Sequence, residues 1–586
     1  MNQESALRAP ATRTVTRQRA AGTARTSTLP QRVAARIYAF AAAHTAPKHA
    51  AADFAYTSAQ HSSPELAHDP HDSAPNDSAS TPSTHARVMA WVWTLVVALF
   101  GALLRFIRLG EPRAVVFDET YYVKDAWTML MTGEPQSWPD EVTINGQLVS
   151  VNDAFANGDT NTWINVAEYV VHPPLGKWLI ALGLKLFGGA GNPFAWRAAT
   201  AIAGVIGIIL LIRVTLRLFH NLPIALLAGF LMSIDGVSIT MSRTGLLDIF
   251  IMVFALGAFS LLLIHRDWAQ ARLRKAQEAH ATKPPQITFS WWRVGAAILL
   301  GCATGVKWSG TYFFAVFCVI SVLWDAWMRR QAGFPHWFSR GVLGNGILAA
   351  LYMLPIYAAT YLLTWIGWFI HPNSYMHDWA LTHRGQGLQW LPESVRSFVA
   401  YHQEMWQFHT HLDAPHDYKA NPLTWPLQIR PTSFYWEKLD GHPGMCSLSP
   451  RSQCVAAITS LGNPLIWWLG SLCAIVAIVI AIMKRGDWRI WAVLAGFLGG
   501  WLPWAQYLHR TTFTFYSIVL LPWMILAICY VYNWIRETTS REVWLITLWI
   551  TVSFCAIISV FFYPIWTAMP VPYEFWRIHM WLPSWI

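Results

Sequence analysis

From Val88 onward, apolar stretches long enough to cross a lipid bilayer recur along the chain, and this feature constrains the fold most. A spanning helix needs about 20 mostly apolar residues, because hydrocarbon offers no partner to an unpaired backbone group. Such runs fall near 88–107, 194–214, 222–241, 247–264, 292–306, 309–327, 343–369, 462–482, 488–508, 512–534 and 543–563. They predict an all-α polytopic membrane protein of about eleven spans. Composition agrees: 13% of residues are charged, too few to cover a water-soluble domain of this size. The 35 tryptophans suit a membrane interface.

The net charge of +10 would suit a nucleic-acid binder, but many basic residues lie between apolar runs and form no single basic module. No nucleic-acid partner is expected. Arg213, Arg217, the 266–283 segment, Arg329, Arg330, Arg340, Lys484, Arg485, Arg489, Arg536 and Arg541 all fall on one side of the predicted spans, which is therefore cytoplasmic. An odd span count then puts the C-terminus outside. Residues 1–87 are rich in Ala, Ser, Thr, Pro, Arg and His without apolar periodicity, and are expected to be a disordered cytoplasmic tail. Their Arg-rich first half resembles an organelle transit peptide, but a plain tail or a misplaced start codon is the better reading, and no cleavable signal peptide is visible. Residues 88–586 form the membrane domain.

Two long loops, 108–193 and 370–461, lie on the outer side, and loops of that length are usually functional. In the first, 118–133 reads as a helix that opens on two carboxylates and stops at Gly133. A second helix follows His172-Pro173-Pro174, with Leu175, Leu179, Leu182 and Leu186 at helical spacing and Lys177 and Lys185 between them. That pattern fits a helix lying in the interface plane.

Asp118 and Glu119 could cap their helix or do acid–base chemistry, and the two roles are compatible. His172 and Lys177 flank a helix N-terminus, a natural anion site, although both could simply face water. Arg197, Arg243, Lys307 and Arg510 sit at the outer ends of spans, against the positive-inside bias. Each could snorkel to headgroups; together they suggest a functional site. In the second loop, His416, Tyr418, Trp425 and neighbouring aromatics could form a saccharide or polar-head surface, or an interfacial belt. Five of the seven cysteines lie in apolar runs; Cys446 and Cys454 fall in the polar outer loop and are a candidate structural disulfide. No zinc-ligand spacing, Rossmann fingerprint or P-loop occurs.

Seven pieces in order, Phe117-Asp118-Glu119-x-Tyr121-Tyr122, His172-Pro-Pro-Leu-Gly-Lys177, Arg243-x-x-Leu-Leu-Asp248, Lys307-Trp308, His416-x-Tyr418 with Trp425-Pro426, Gly462-Asn-Pro-x-x-Trp467-Trp468 and Arg510-x-x-Phe513-x-Phe-Tyr516, resemble the dolichyl-phosphate-mannose–protein mannosyltransferase family. The resemblance covers almost everything after the tail. It implies the GT-C glycosyltransferase fold and transfer of mannose, with inversion, from a lipid phosphate to Ser or Thr hydroxyls of secreted or membrane proteins. No outer loop has room for the β-trefoil insertion of eukaryotic members, and Asp417 stands where they carry serine, so a bacterial, actinobacterial member using a polyprenyl phosphate donor is expected. Asp118 is then the expected base. Glu119 would position the base or the acceptor. His172, Lys177, Arg197, Arg243, Lys307 and Arg510, with most weight on Arg197 and Arg510, would meet the donor phosphate, while Tyr121, Tyr122, His416, Tyr418 and Trp425 would face the acceptor.

These cations would neutralise the departing phosphate, so no metal or other cofactor is expected. The expected location is the plasma membrane, with the site on the outer face and acceptors arriving in water or from the Sec translocon. Transfer to a glycolipid or polysaccharide is the nearest alternative. A transporter or flippase is a weaker one, since it predicts broken helices and polar span midpoints, whereas here, apart from Asp235 in the third predicted span, the charges are read as gathering at outer ends.

Overall fold

The computed structural model describes residues 83–483 and 486–586. Residues 1–82 of the expected tail and the Lys484/Arg485 pair lie outside the described residues, and the tail's expected last residues, 84–87, belong instead to the first helix. All eleven predicted spans fall on helices. Seven are long and apolar enough to cross a membrane: α1 (Thr84–Phe106), α4 (Pro193–Phe219), α7 (Asp248–Glu278), α9 (Gly310–Gln331), α10 (Asn345–Thr364, entered through a π-helical turn from Ser339), α12 (Pro464–Met483) and α15 (Arg541–Trp566). The third predicted span is two helices, α5 (Leu222–Ile234) and α6 (Gly236–Ser242), bent by 60°. Three more fall on shorter or less apolar helices, α8 (Trp291–Val306), α13 (Trp488–Gly500) and α14 (Leu521–Thr538). Among the described residues, seven helices, or eight with the bent pair, are thus long and apolar enough to cross, against the eleven spans expected.

The break between α5 and α6 has a physical cause in Asp235. Its carboxylate caps α6 by accepting from Ser238 N at 3.0 Å, and also accepts from Asn463 N at 3.0 Å and Trp467 Nε1 at 2.9 Å. The unpaired carbonyls at the end of α5 are taken by Arg105, a fully buried residue of α1 that the sequence reading passed over. Its guanidinium donates to Met232 O, Ser233 O, Gly101 O, Ser238 Oγ and Ser242 Oγ. Small residues admit this packing: a Cβ on Gly204 of α4 would sit 2.1 Å from Ser242 Oγ. A broken helix is therefore present, but its polar groups are satisfied internally.

At one end of the bundle, basic residues from separate connections meet. Arg217 pairs with Asp267, the Arg266 guanidinium lies 3.3 Å over Trp488, and Arg489 reaches Glu537 at 3.8 Å. At the other end lie the two long loops. The first carries α2 (Glu119–Thr132), a hairpin of β1 (Glu141–Ile144) and β2 (Gln147–Ser150), and α3 (Leu175–Leu186). The hairpin turns at Asn145-Gly146, both in the left-handed region, a turn signal that the sequence reading did not use. Leu182 and Leu186 of α3 are exposed, as expected of an interfacial helix, but Lys177 is turned inward.

The second loop is more ordered than expected. It holds α11 (Glu393–His411), then β3 (Thr432–Leu439) and β4 (Cys454–Ser460), which pair antiparallel from Thr432↔Ser460 to Leu439↔Cys454. A short β5 (Val571–Pro572), beyond the last span, joins β4, and Cys446 and Cys454 form the expected disulfide beside it.

Candidate active site

The chain leaves α1, crosses the bundle end and enters α2 through Phe117, whose φ of 48° is left-handed. That conformation costs a non-glycine residue about 1–3 kcal/mol and persists only where packing dictates it. Here Phe117 is clamped by Phe434, Phe513 and Phe515, at ring distances of 4.9, 5.7 and 5.5 Å. The next two residues, both acidic, have different fates. Asp118 is the N-cap of α2, yet its side chain makes no capping bond. Glu119 is fully buried and saturated: Oε1 accepts from Arg197 Nε and Gly245 N, each at 2.8 Å, and Oε2 from Arg197 Nη2 at 2.9 Å and Val116 N at 3.0 Å.

Arg197 was expected at the donor phosphate. Instead its other N–H groups bind the carbonyls of Leu109, Pro112 and Ala114, so it clips the α1–α2 connection to α4 and offers nothing to a ligand. Arg243 is committed in the same way, donating to the carbonyls of Arg105 and Ile107 at 2.7 Å and of Arg108 at 2.9 Å, the exposed end of α1. Lys177 is buried against Asp125 at 2.9 Å, within the first loop. Three of the expected phosphate cations are thus internal fasteners.

The other three, His172, Lys307 and Arg510, line one cavity of about 680 Å³. Lys307 follows the end of α8 and pairs with Asp248, the first residue of α7, at 2.8 Å. Its ammonium also lies 4.9 Å from the Tyr516 ring and 5.8 Å from the Tyr122 ring. Arg510 stacks over Trp504 and donates from Nη2 to His409 Nδ1 at 3.2 Å, while its buried Nε has no partner. His172 Nδ1 is also buried without a partner. Both residues line the cavity, and a buried nitrogen left unpaired is costly. The walls are aromatic: Trp308 Nε1 donates to Tyr361 OH at 2.9 Å, and that hydroxyl contacts His402 Nε2 at 2.7 Å.

Asp118 sits beside this polar floor. Burial pushes its pKa up to about 6, with Lys307 pulling it down and Asp248 pushing it further up. A carboxylate tuned to that range accepts a proton near neutral pH and is still ionised there. His172 is held well below its ordinary value, first by burial and then by Lys307, so it is neutral.

Of the residues expected to face an acceptor, Tyr121 is exposed, while Tyr122 is buried against Lys307 and His172. His416 packs edge-on against Phe513 at 4.8 Å and Phe117 at 6.5 Å, next to Asp118, and Tyr418 lies under Arg430 at 5.1 Å. Trp425 is fully buried behind the cavity against Trp504 and Tyr516, so it supports the wall and cannot touch a protein acceptor. Sequence reasoning missed Asp248 as the partner of Lys307, and also His402, Trp406 and His409. The last three recur at i, i+4 and i+7 on α11, a one-face helical signal inside a segment read only as a loop.

Residues 151–364 match a family model described as dolichyl-phosphate-mannose-protein mannosyltransferase, and residues 394–585 one described as the C-terminal four TMM region of protein-O-mannosyltransferase. The chain is 31% identical over 518 residues to a polyprenol-phosphate-mannose–protein mannosyltransferase of Mycolicibacterium smegmatis, covering 85% of this chain and 93% of that protein. It is 30% identical over 523 residues to the protein of that name from Corynebacterium glutamicum, covering 85% and 94%. In fold it resembles the S. cerevisiae protein O-mannosyltransferase Pmt1–Pmt2 complex bound to the sugar donor, with TM-score 0.63 at 14% identity, covering 85% of this chain and 93% of that one.

Proposed function

This chain belongs to the dolichyl-phosphate-mannose–protein mannosyltransferase family, and from that premise we propose a site and a mechanism for its transfer of mannose to protein hydroxyls. It is a multi-pass membrane glycosyltransferase of the GT-C fold that uses polyprenyl-phosphate-mannose as donor and Ser or Thr hydroxyls as acceptor. Asp118 is the base. It takes the proton as the acceptor oxygen attacks the anomeric carbon, the bond from that carbon to the phosphate oxygen breaks, and the configuration inverts in the single displacement. The departing polyprenyl phosphate gathers negative charge, which Lys307 and Arg510 stabilise from the cavity floor. Glu119 holds the base in place through Arg197. No metal enters this scheme, so turnover should persist in excess chelator; a strict requirement for an added divalent cation would remove Lys307 and Arg510 from that role.

The observation that carries the reading is the contrast between the two acids: Glu119 has four donors, and Asp118 makes no side-chain cap beside the cavity that Lys307 and Arg510 line. The basic end of the bundle lies away from this site and the disulfide closes the β3–β4 pair whose Phe434 packs on Phe117, which supports an extracytoplasmic site in the plasma membrane; acceptors would then arrive during secretion, as from the Sec translocon. The test uses reconstituted enzyme, radiolabelled polyprenyl-phosphate-mannose and a Ser/Thr-rich peptide beside a glycolipid acceptor. Label is expected in the peptide. Label found only in lipid would refute the protein acceptor.

A further inference from the structure

We infer that His409 is a positioning residue for the donor phosphate, held as one neutral tautomer between the first loop and the Arg510 guanidinium. This rests on the reading of Arg510 as a phosphate ligand. His409 Nε2 lies 2.6 Å from the carbonyl oxygen of Val171. A carbonyl only accepts, so Nε2 carries the ring proton. His409 Nδ1 lies 3.2 Å from Arg510 Nη2. A guanidinium only donates, so Nδ1 presents its lone pair. Each ring nitrogen has one partner, and the two partners together permit a single protonation state.

The ring is fixed on its faces as well. It stacks on His172 at 5.1 Å with the planes 18° apart, and meets Trp308 at 5.7 Å. His409 therefore ties three distant pieces of chain, Val171-His172, α11 and Arg510, to one another. With Nη2 turned to His409, the Arg510 Nε stays buried without a partner, as does His172 Nδ1. The imidazole thus does not meet the phosphate; it sets the angle of the group that does.

A second proton on His409 would set N–H against N–H at Arg510. The charged or titratable groups around the ring are Arg510, Lys307 and His172, none of which favours an imidazolium. Burial, then Arg510, holds the His409 pKa down to about 4. The neutral form is therefore present throughout the working range, and the contact is lost only as pH falls toward that value.

The test is steady-state kinetics of full-length enzyme in liposomes, varying polyprenyl-phosphate-mannose and acceptor peptide separately. His409→Leu keeps bulk but loses both bonds, and should raise the donor KM about ten- to a hundredfold, as loss of a hydrogen bond to a charged group does. The acceptor KM should not move. His409→Gln can accept from Arg510 and donate to Val171, so it should recover most of the donor affinity. His409→Lys should be at least as damaging as leucine. A donor KM unchanged in His409→Leu, with Arg510→Ala raising it, would overturn the role of His409 and leave the phosphate reading intact. An unchanged donor KM in Arg510→Ala would overturn the phosphate reading itself. Should His409→Leu fail to insert, glutamine still decides: a donor KM raised as far as in Arg510→Ala would refute the tautomer argument.

Discussion

At the scale of single residues, adjacent acids are separated in role by what reaches them from elsewhere in the chain. Asp118→Asn should keep the fold and lower kcat by about 10²–10⁴-fold, the usual share of a general base; turnover near wild type would reject it. Because a base works unprotonated and burial raises the Asp118 pKa to about 6, kcat/KM should fall as pH drops through that value and level off above it. Glu119→Ala is a different experiment. It leaves the Arg197 guanidinium buried without its carboxylate, a loss of about 3–5 kcal/mol, visible as a lowered melting temperature in detergent before any assay. The Phe117–Tyr122 motif showed where to look, but not which acid is which. That answer depends on Arg197 and Gly245, far along the chain, and local spacing carries no information about them. The outer cations were legible as a class for the same reason that they misled. Membrane depth makes any ionisable group conspicuous, and it does not distinguish a cation lining the cavity, such as Arg510, from a backbone fastener such as Arg243.

At the scale of elements, apolar length made the spans readable, and flanking prolines and glycines made α2 and α3 readable. What stayed hidden were elements whose stability comes from pairing at a distance. Strand β4 is fully buried, yet its partners lie in β3 and in a two-residue strand beyond the last span. The bend between α5 and α6 was half legible, since Asp235-Gly236 interrupts an apolar run, but its meaning required Asn463 and Trp467. This also gives the Gly462-Asn-Pro-x-x-Trp467 motif a structural role: it closes on Asp235. Replacing Asp235 by leucine removes the acceptor from three buried donors, Ser238 N, Asn463 N and Trp467 Nε1, and should cost about 1–3 kcal/mol for each. Loss of monodisperse protein at moderate temperature would register it, whereas wild-type melting would show that the bend needs no cap.

At the scale of the whole molecule, the basic loops gather at one end and the cavity, long loops and disulfide at the other. Tyr121 is 57% exposed beside the proposed base. A Tyr121→Cys variant should therefore react with a membrane-impermeant maleimide on intact cells, and reaction only after permeabilisation would invert the topology. Arg105 adds a consequence for biogenesis. It belongs to the first span, but the carbonyls and hydroxyls that receive its guanidinium lie between Met232 and Ser242, apart from one within α1 itself. While the first helix leaves the translocon, those groups have yet to be synthesised. Arg105 stands in the last turn of that helix, where its long side chain can reach headgroups or water in the meantime. It can settle at its final depth only when the bent third span arrives to receive it.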